Sequence, residues 1–541
     1  MRKQVQLPGG SGKLEPSLFR VSRCVTLEAV DSPADPSLSR FADHLEAPRG
    51  RGALARAPHA GAAGGAQCGD LVKIAVRVEG GAVAEAGFEA SGCGAAIAAA
   101  SATVELVSGA SAIDAARVTP DDIASELGGL PPAKIHAATL AADALHRALG
   151  KAAADGVIRA ERSERRTLVA MSGGVDSTVA ALAALAAGHE TIAVTLELWA
   201  DPANDGERSC CSPQAVTGAR ALAHTLGLPH LTLDLREAFR AQVVEDFISE
   251  HAAGRTPNPC VRCNGLVRFD EMLELGAALG AARLATGHYA RIERDEAGPL
   301  LAPAVDAHKD QTYMLARVPA RQLERVWFPL GELTKPQVRE RAGEHGLAVA
   351  GKAESQDLCF MAGTRRADFL ARHGERAPSG SGELVDLEGR VVGRHDGQHR
   401  FTVGQRRGIG LAALEPLYVI AKDAPSGRVT VGPREALRTR RVNVSDARLE
   451  RPGYAVAAVK LRYQSPALAC RLVDARAAGA YRSLELVLDE PVEGLAPGQS
   501  AVLLDARERV VGHGLIAEPS AAPTPPARVS VAEEEQAAIA R

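Results

Sequence analysis

The chain has 541 residues, of which 46% are hydrophobic and 24% charged, and its net charge is −3. This length indicates about three to four domains, and the composition is that of a soluble globular protein. It contains no apolar run long enough to span a bilayer and no apolar segment of a secretion signal, so we expect a cytoplasmic protein. Nine cysteines are too few for a disulfide scaffold, which favours reactive or metal-binding thiols. Binding of nucleic acid would require local basic patches.

The first region, residues 1–155, has the pattern of an α+β domain. Residues 47–67 are rich in glycine, alanine and arginine and predict a loop. Two segments of alternating apolar residues, 72–78 and 83–88, predict a pair of strands. Helices are predicted at 97–107, 114–116, 123–127 and 134–149, with Gly150 as the C-cap and the charged segment 151–166 as a linker.

The second region, residues 156–375, alternates between strand and helix patterns. Strands are predicted at 168–171, 192–198, 231–233 and 283–285, and helices at 178–187, 213–226, 239–251 and 269–278. This alternation predicts a doubly wound parallel α/β sheet, whose ligands lie beyond the carboxyl ends of the strands.

Short strand patterns with glycine and proline turns dominate the rest of the chain. They predict a small β-rich connector at 376–437 and a C-terminal β-barrel at 438–518. The composition of residues 519–541 is typical of a disordered tail.

A glycine-containing turn follows the first predicted strand of the second region, in TLVAMSGGVDSTVAA (167–181). At Ser172, Gly173 and Gly174, backbone N–H groups can converge on an anion, and the dipole of the following helix strengthens such a cradle. The turn lacks the lysine of a Walker A loop, which disfavours γ-phosphoryl transfer. It therefore predicts a phosphate site, and a strand-to-helix turn without a ligand is the alternative.

Three cysteines of the second region stand in patterns that can carry chemistry. Cys260 and Cys263 form a C-x-x-C pair in TPNPCVRCNGLVRF, and Cys359 lies in ESQDLCF. The pair can be half a zinc site, a redox pair or part of an iron–sulfur site, and the second C-x-x-C of a zinc ribbon is absent from the sequence. The adjacent Cys210 and Cys211 are interpreted as local structure or accessory thiols. The isolated Cys24 and Cys470 are interpreted as buried small apolar residues.

A series of ordered motifs resembles the tRNA-specific 2-thiouridylases over residues 167–517. The motifs are AMSGGVDS, GRTPNPCVRCN, ATGHYAR, KDQTYML, FPLGELTKPQVR, ESQDLCF, FTVGQRRGIGL and LRYQSP. The resemblance implies an ATP-dependent transferase that adenylates the wobble uridine of tRNA (position 34) and replaces the oxygen on ring carbon 2 with sulfur. It assigns Cys263 as a nucleophile and Cys359 as the persulfide-bearing cysteine, and the two would end the reaction as a disulfide. Many relatives have aspartate where this chain has Cys260, so three thiolates could alternatively hold an iron–sulfur cluster.

The same resemblance implies two sets of binding residues. ATP and Mg²⁺ are assigned to the loop and two flanking positions: Ala170, Met171, Ser172, Gly173, Gly174, Val175, Asp176, Ser177, Leu196 and Gly287. Contacts with tRNA are assigned to Asn258, Pro259, Lys309, Asp310, Gln311, Arg462 and Tyr463. Local positive charge comes from Arg394, His399, Arg400, Arg406 and Arg407, for which a solvated β surface is the alternative. The expected partners are a tRNA with a modifiable wobble uridine and a sulfur donor, such as a cysteine desulfurase or a sulfur-relay protein.

The first region resembles the NifU/IscU-type iron–sulfur scaffold domains over residues 20–150. The resemblance rests on QCGDLVKIAVRV, FEASGCGAAIAAASATVEL and GGLPPAKIHAATLAADAL. The positions that match the cluster ligands of that family are Cys68, Asp70 and Cys93, whereas its third cysteine is Ala137 here. The preceding His136 could serve as a substitute ligand. A docking domain without a cluster is the alternative.

Two other functions stay open at this point. A different adenylating ligase or amidotransferase could use the same phosphate loop, although it would not need Cys263 and Cys359. A non-enzymatic iron–sulfur assembly protein would not need the intact SGGVDS segment.

Overall fold

A computed structural model describes residues 36–54, 56–64, 69–201, 212–351, 358–374 and 381–518. It contains an N-terminal α+β unit, a parallel α/β domain, a small four-stranded sheet and a closed β-barrel, which confirms the predicted fold class. No helix in these ranges has the length and apolar character needed to cross a membrane. Several predictions fall outside the described residues: those for Cys24, Cys68, Cys210, Cys211 and the tail at 519–541.

The N-terminal unit packs helices on a three-stranded antiparallel sheet. Its elements are α1 (Pro36–Glu46), β1 (Ala60–Gly64), β2 (Leu71–Glu79), β3 (Ala82–Ser91), α2 (Gly94–Val107), α3 (Ala112–Ala115), α4 (Pro120–Glu126) and α5 (Ile135–Ala154). The predicted strands and helices are present. The loop prediction for 47–67 is wrong in part, because β1 pairs with β2. Small residues suit this strand, since a Cβ on Gly61 would lie 2.3 Å from the carbonyl oxygen of Ala144 in α5.

The α/β domain is built on a five-stranded parallel sheet with the order β10-β7-β4-β5-β6. Its elements are β4 (Ser163–Ala170), α6 (Val175–Ala186), β5 (Glu190–Glu197), α7 (Pro213–Thr225), β6 (His230–Asp234), α8 (Arg236–Phe239), α9 (Glu245–Ala252), α10 (Pro259–Cys263), α11 (Phe269–Ala278), β7 (Ala281–Ala285), β8 (Arg291–Asp295), β9 (Gly298–Ala302), α12 (Thr312–Leu315), α13 (Ala320–Leu323), β10 (Val326–Trp327), α14 (Lys335–Glu344) and α15 (Arg366–His373). Turns of π-helix join α8 to α9 and α10 to α11. The chain winds outward in both directions from β4, so the switch point lies between β4 and β7.

The remaining strands form two separate sheets. The connector sheet has the order β12-β11-β14-β13 and contains β11 (Gly382–Val385), β12 (Val391–His395), β13 (Tyr418–Asp423) and β14 (Arg428–Gly432). The barrel closes in the order β15-β18-β17-β16-β19-β20 and contains β15 (Arg438–Leu449), β16 (Ala458–Lys460), β17 (Leu468–Leu472), β18 (Gly479–Glu493), β19 (Ser500–Leu504) and β20 (Val510–Ile516). Cys470 is buried in the barrel, as predicted. This burial raises the pKa of its thiol to about 12, so the side chain stays uncharged.

The segment predicted as a linker, 151–166, is mostly regular structure. Helix α5 continues to Ala154 and β4 begins at Ser163, so the predictions of a linker and of a C-cap at Gly150 are wrong. Gly150 lies inside the helix because α5 packs directly on β6. A Cβ on Gly150 would lie 1.9 Å from the carbonyl oxygen of Thr232, so glycine permits this close approach.

Buried polar groups tie the N-terminal unit to the α/β domain. Asp143 of α5 accepts a hydrogen bond of 2.5 Å from Arg220 of α7, which is 2% exposed. Arg147 of α5 donates to Glu197, which is buried at the end of β5. The edge strand β6 is covered as well, since His230 N donates to the carbonyl oxygen of Ala116. The two units therefore share one continuous interior.

Candidate functional site

The phosphate loop lies at the carboxyl end of β4, directly before α6. Gly173 adopts φ +70°, a left-handed conformation that favours glycine, and Gly174 is the N-cap of α6. The hydroxyl of Ser177 accepts from Ser172 N at 3.1 Å and donates to Gly174 O at 3.0 Å, so it holds the turn closed. The loop thus presents the positive end of a helix dipole at the switch point of the sheet.

A buried lysine compensates the charge of the loop aspartate. Asp176 lies in the first turn of α6, and Lys335 Nζ is 2.7 Å and 2.8 Å from its two carboxylate oxygens. The hydroxyl of Tyr289 donates to the same carboxylate at 2.8 Å. Our sequence analysis missed both partners, although Tyr289 lies in the motif ATGHYAR and Lys335 in FPLGELTKPQVR. The structure therefore adds a cation to the predicted ATP site.

Two other residues assigned to ATP lie at the same edge of the sheet. Gly287 follows β7, and a Cβ there would lie 2.7 Å from Asp176 C and Ser177 N, so the glycine allows its segment to touch the start of α6. Leu196 is next to the last residue of β5 and is half-buried. Because Ala170 pairs with Val194, Leu196 lies beyond the end of β4 on the adjacent strand. These positions border the loop.

The C-x-x-C pair lies at the start of a long helix that faces the same edge. The segment from α10 through α11 leads into β7 and runs back along the sheet, so its first residues lie at the carboxyl ends of the strands. Asn258 caps the helix, since its Oδ1 accepts from Cys260 N at 3.2 Å and from Val261 N at 3.3 Å. Cys263 is buried with 6% exposure, whereas Cys260 is half-buried.

The third cysteine lies in a turn anchored by aromatic packing. Cys359 is half-buried, and its neighbour Phe360 is 1% exposed. The ring of Phe360 lies 5.2 Å from that of Phe247 and 5.1 Å from that of Phe369, between centroids. This packing holds the turn against α9 and α15.

The residues assigned to tRNA gather around Cys260 and the capping Asn258. The thiol of Cys260 and the carboxylate of Asp310 both raise the pKa of Tyr463, after burial as the main cause, so these groups are neighbours. The ring of Tyr463 also lies 6.1 Å from that of Tyr313, and Asn258 is close enough to Tyr313 to lower the pKa of its hydroxyl. Aromatic, amide and charged side chains thus surround the exposed side of the C-x-x-C helix.

Not every side chain of this set points outward. Gln311 accepts from Tyr289 N at 2.9 Å and so ties its loop to the segment after β7, whereas Asp310 accepts from Thr312 Oγ1 at 2.6 Å within its own loop. Arg462 is exposed and donates to the carbonyl oxygen of Gly494. Pro259 is buried as the first residue of α10. Contact between these residues and tRNA stays a prediction.

The N-terminal unit brings three potential metal ligands together. Asp70 Oδ2 lies 3.2 Å from Cys93 Sγ and 3.3 Å from His136 Nε2. A hydrogen bond of 2.8 Å from the backbone N–H of Cys93 is the main cause of the lowered pKa of Asp70. The ligand atoms of the three residues lie within 4.8 Å of one another. Ala137, in the position of the third cysteine, is fully buried in α5 and offers no ligand.

Family models match four successive parts of the chain. They are described as a NifU-like N terminal domain (residues 39–155), a tRNA methyl transferase HUP domain (165–363), a tRNA methyl transferase PRC-barrel domain (367–433) and an aminomethyltransferase beta-barrel domain (434–516). A protein of Rubrobacter xylanophilus named bifunctional protein NifU/MnmA is 46% identical over 490 residues, which cover 88% of this chain and 98% of the relative. The chain belongs to the bifunctional NifU/MnmA family.

Proteins named tRNA-specific 2-thiouridylase MnmA match the part of this NifU/MnmA chain that follows the NifU-like unit. The protein of Syntrophotalea carbinolica is 44% identical, over 66% of this chain and all of the relative. That of Bradyrhizobium diazoefficiens is 41% identical, over 65% of this chain and 92% of the relative. These matches confirm the predicted fusion of a scaffold-like domain with a tRNA 2-thiouridylase, and the HUP domain implies the use of ATP.

Proposed function

We propose that this chain replaces the oxygen on ring carbon 2 of the wobble uridine of tRNA with sulfur, at the expense of ATP. The observation that carries the proposal is the position of two features at one edge of one sheet. The pyrophosphate loop follows β4, and the helical segment that begins with Cys260 and Cys263 passes the carboxyl end of β7, where the ring of Phe269 lies 5.8 Å from that of His288. ATP and a sulfur-bearing nucleophile can therefore meet at the same uridine.

The first step activates an oxygen that is a poor leaving group. The carbonyl oxygen on ring carbon 2 attacks the α-phosphate of ATP, pyrophosphate leaves, and the oxygen becomes part of an adenylate ester. Backbone N–H groups of Gly173 and Gly174 would bind the leaving pyrophosphate at the helix N-terminus. Lys335 would neutralise the charge that develops there.

A magnesium ion that accompanies ATP also fits this site. The carboxylate of Asp176 is an oxygen ligand of the kind that Mg²⁺ prefers, and it lies at the start of the phosphate-binding helix. Both of its oxygens contact Lys335 in this structure. The bound ion would supply charge neutralisation of the phosphates, and the lysine would then be available to a phosphate oxygen.

The second step transfers sulfur between two cysteines and the base. A donor loads Cys359 as a persulfide, whose outer sulfur attacks ring carbon 2 while AMP departs with the original oxygen. The thiolate of Cys263 then attacks the inner sulfur of Cys359, which leaves the outer sulfur on the base and joins the two cysteines as a disulfide. An external thiol reductant resets the pair.

An iron–sulfur cluster on Cys260, Cys263 and Cys359 is the competing mechanism. In the described part of the chain, the ligand atoms of Asp70, Cys93 and His136 lie within 4.8 Å of one another, and those of Cys260, Cys263 and Cys359 do not. This spacing argues only against one ion shared by the three cysteines, whereas a cluster would bind each thiolate at a separate iron. Under the cluster mechanism, Cys260→Ala loses both iron and activity after anaerobic reconstitution. Full thiolation by iron-free Cys260→Ala protein would exclude it.

The NifU-like unit is proposed to supply sulfur or iron to the catalytic domain. Asp70, Cys93 and His136 can hold one ion in the N-terminal unit. Because Ala137 removes a thiolate from the pattern of the family, we expect weaker retention of a cluster than in a three-cysteine scaffold.

The proposed reaction is tested by the dependence of pyrophosphate release on the nucleic acid. We expect the purified protein to convert ATP to AMP and pyrophosphate when tRNA with an unmodified wobble uridine is present. A tRNA with cytidine at position 34 is the control. Equal release with both tRNAs, or release driven by a small carboxylic acid instead, would favour another adenylating enzyme.

A further inference from the structure

A cluster of basic side chains lies where the α/β domain meets the connector sheet. We call it the junction cluster: His251 at the end of α9, Arg366 at the start of α15, His399 in the turn before Phe401, and Lys422 in β13. Hydrogen bonds fix this junction. Gln398 Nε2 donates to Ala252 O at 3.3 Å, and Lys422 Nζ donates to Phe401 O at 3.0 Å.

The junction cluster has no acidic partner among the residues that the structure describes. The charges that lower the pKa of His251 are Arg366, Lys422 and His399, after burial as the main cause. Burial first and Arg366 second lower the pKa of Lys422 to about 8. Burial lowers the pKa of Arg366 too. With its pKa lowered to about 3, His251 is neutral near pH 7, whereas Arg366 and Lys422 are cations that are partly removed from water and close to each other.

Such an arrangement is unfavourable in the free protein. A buried charge costs free energy unless an opposite charge compensates it, and like charges add to that cost. Arg366 also lies in the first turn of α15, where the helix dipole disfavours a cation and favours an anion. His399 Nδ1 is buried and has no hydrogen-bond partner within the described ranges. A bound anion would relieve all of these costs together.

The surroundings of the cluster indicate which anion it binds. Arg400 follows His399, and Arg406 and Arg407 lie further along the same connector loop. This loop reaches the proposed tRNA site, because a Cβ on Gly404 would lie 3.8 Å from Arg462 Nη2. Arg462 precedes Tyr463, which neighbours Cys260. The positive surface therefore continues from the junction cluster to the catalytic helix.

We propose that the junction cluster binds a backbone phosphate of the tRNA outside the nucleotide that is modified. The proposal rests on the proposed function for the identity of the RNA. A phosphate at this position would hold the tRNA across the α/β domain and the connector at once. A free phosphate ion has the same chemistry and is the alternative source.

The test compares Arg366→Met with Arg365→Met in the full-length protein. Arg365 is the matched control because it lies next to Arg366 but is exposed and paired with Asp368 at 2.7 Å. We expect Arg366→Met to weaken binding of tRNA about tenfold. The logarithm of the tRNA binding constant should also depend less steeply on the logarithm of the salt concentration, with a slope smaller by about 0.7 to 0.9, which corresponds to the loss of one phosphate contact. We expect Arg365→Met to bind tRNA like the wild type. The melting temperature of Arg366→Met should be equal to or above that of the wild type, since an uncompensated, half-buried cation is removed.

The outcomes separate the cluster from the proposed function. Equal affinities and salt slopes for the two variants would overturn the proposal. So would a clear loss of melting temperature in Arg366→Met, because the arginine would then be a structural residue. Inorganic phosphate could instead stabilise the wild type but not Arg366→Met, while both proteins bind tRNA with the same affinity. The cluster would then bind a free phosphate ion, and the proposal would be wrong. Weakened binding of tRNA in Arg366→Met, in a protein whose wild type forms no 2-thiouridine, would support the cluster and contradict the proposed function.

Discussion

Lys335 Nζ lies 2.7 Å and 2.8 Å from the two carboxylate oxygens of Asp176, although the residues are far apart in the chain. The lysine side chain is 9% exposed and that of the aspartate 33%. The pair joins the start of α14 to the first turn of α6. It therefore sets both the charge of the phosphate loop and the contact between the two helices.

Removal of either charge from this pair should abolish or strongly slow the first chemical step. We expect Asp176→Ala to abolish tRNA-dependent release of pyrophosphate, and Lys335→Met to reduce it by about 100-fold or more, as loss of a group that stabilises developing charge does. Asp176→Ala should also lose about 3 kcal/mol of unfolding free energy, since it leaves a buried ammonium without its partner. The double variant Asp176→Asn with Lys335→Met should regain stability but not activity. Unchanged pyrophosphate release from Asp176→Ala would contradict the assignment of the loop.

The two proposed sulfur carriers should separate chemistry from binding. We expect Cys263→Ser and Cys359→Ser each to stop formation of 2-thiouridine, because neither hydroxyl can carry or release a persulfide sulfur. Affinity for tRNA should stay within about twofold of the wild type, since neither thiol is proposed to contact phosphate. Cys470→Ala is the control, because this thiol lies in the barrel core and should be dispensable. Substantial thiolated product from either serine variant would show that the paired-cysteine mechanism is wrong.

The N-terminal unit should not be separable from the catalytic domain without a loss of stability. Truncation of residues 1–155 removes Asp143 and Arg147, the partners of Arg220 and Glu197, and uncovers the apolar surface on which α5 packs. We expect Asp143→Ala in the full chain to cost about 3 to 5 kcal/mol in denaturant unfolding, as loss of one partner of a buried pair does. Pyrophosphate release by the truncated protein should fall with its folded fraction. If the catalytic domain unfolds at the same denaturant concentration in the truncated protein as in the full-length chain, this interface does not stabilise it and the prediction is wrong.

The same interface should make the protein sensitive to acid. Burial, and then the charge of Arg220, lower the pKa of His224 to about 4, and His146 and His230 lie beside it with pKa values well below the usual range. The unfolded chain takes up a proton near pH 6.5 that folded His224 accepts only near pH 4. The stability is therefore complete above pH 6.5 and is lost as the pH falls towards 4.

A pH series of denaturant unfolding measures this effect. Between pH 6 and 4.5, His224→Asn should lower the dependence of the unfolding free energy on pH by up to about 1.4 kcal/mol per pH unit. The exposed His345 provides the control variant, His345→Asn, which should follow the wild type. Identical slopes for His224→Asn and wild type would rule out His224 as a source of acid sensitivity.

Features that depend on neighbouring residues were predicted from the sequence, and features that depend on distant contacts were not. The strand, glycine turn and helix around Gly173 are local, and the sequence predicts all three. By contrast, Gly150 ends no helix, because a contact with Thr232 of another unit decides its environment. Lys335 and Tyr289 were not assigned to the ATP site for the same reason. Their partner, Asp176, is adjacent only after the chain has folded.

We expect the chain to form 2-thiouridine at position 34 of tRNA. The most direct measurement is mass spectrometry of nucleosides and of anticodon fragments, after anaerobic incubation of the protein with unmodified tRNA, ATP, Mg²⁺ and a persulfide donor. We predict 2-thiouridine at the wobble position that depends on ATP and is lost in Cys359→Ser. Absence of 2-thiouridine from a protein that binds this tRNA and releases pyrophosphate with it would contradict the claim, as would sulfur at any other nucleotide.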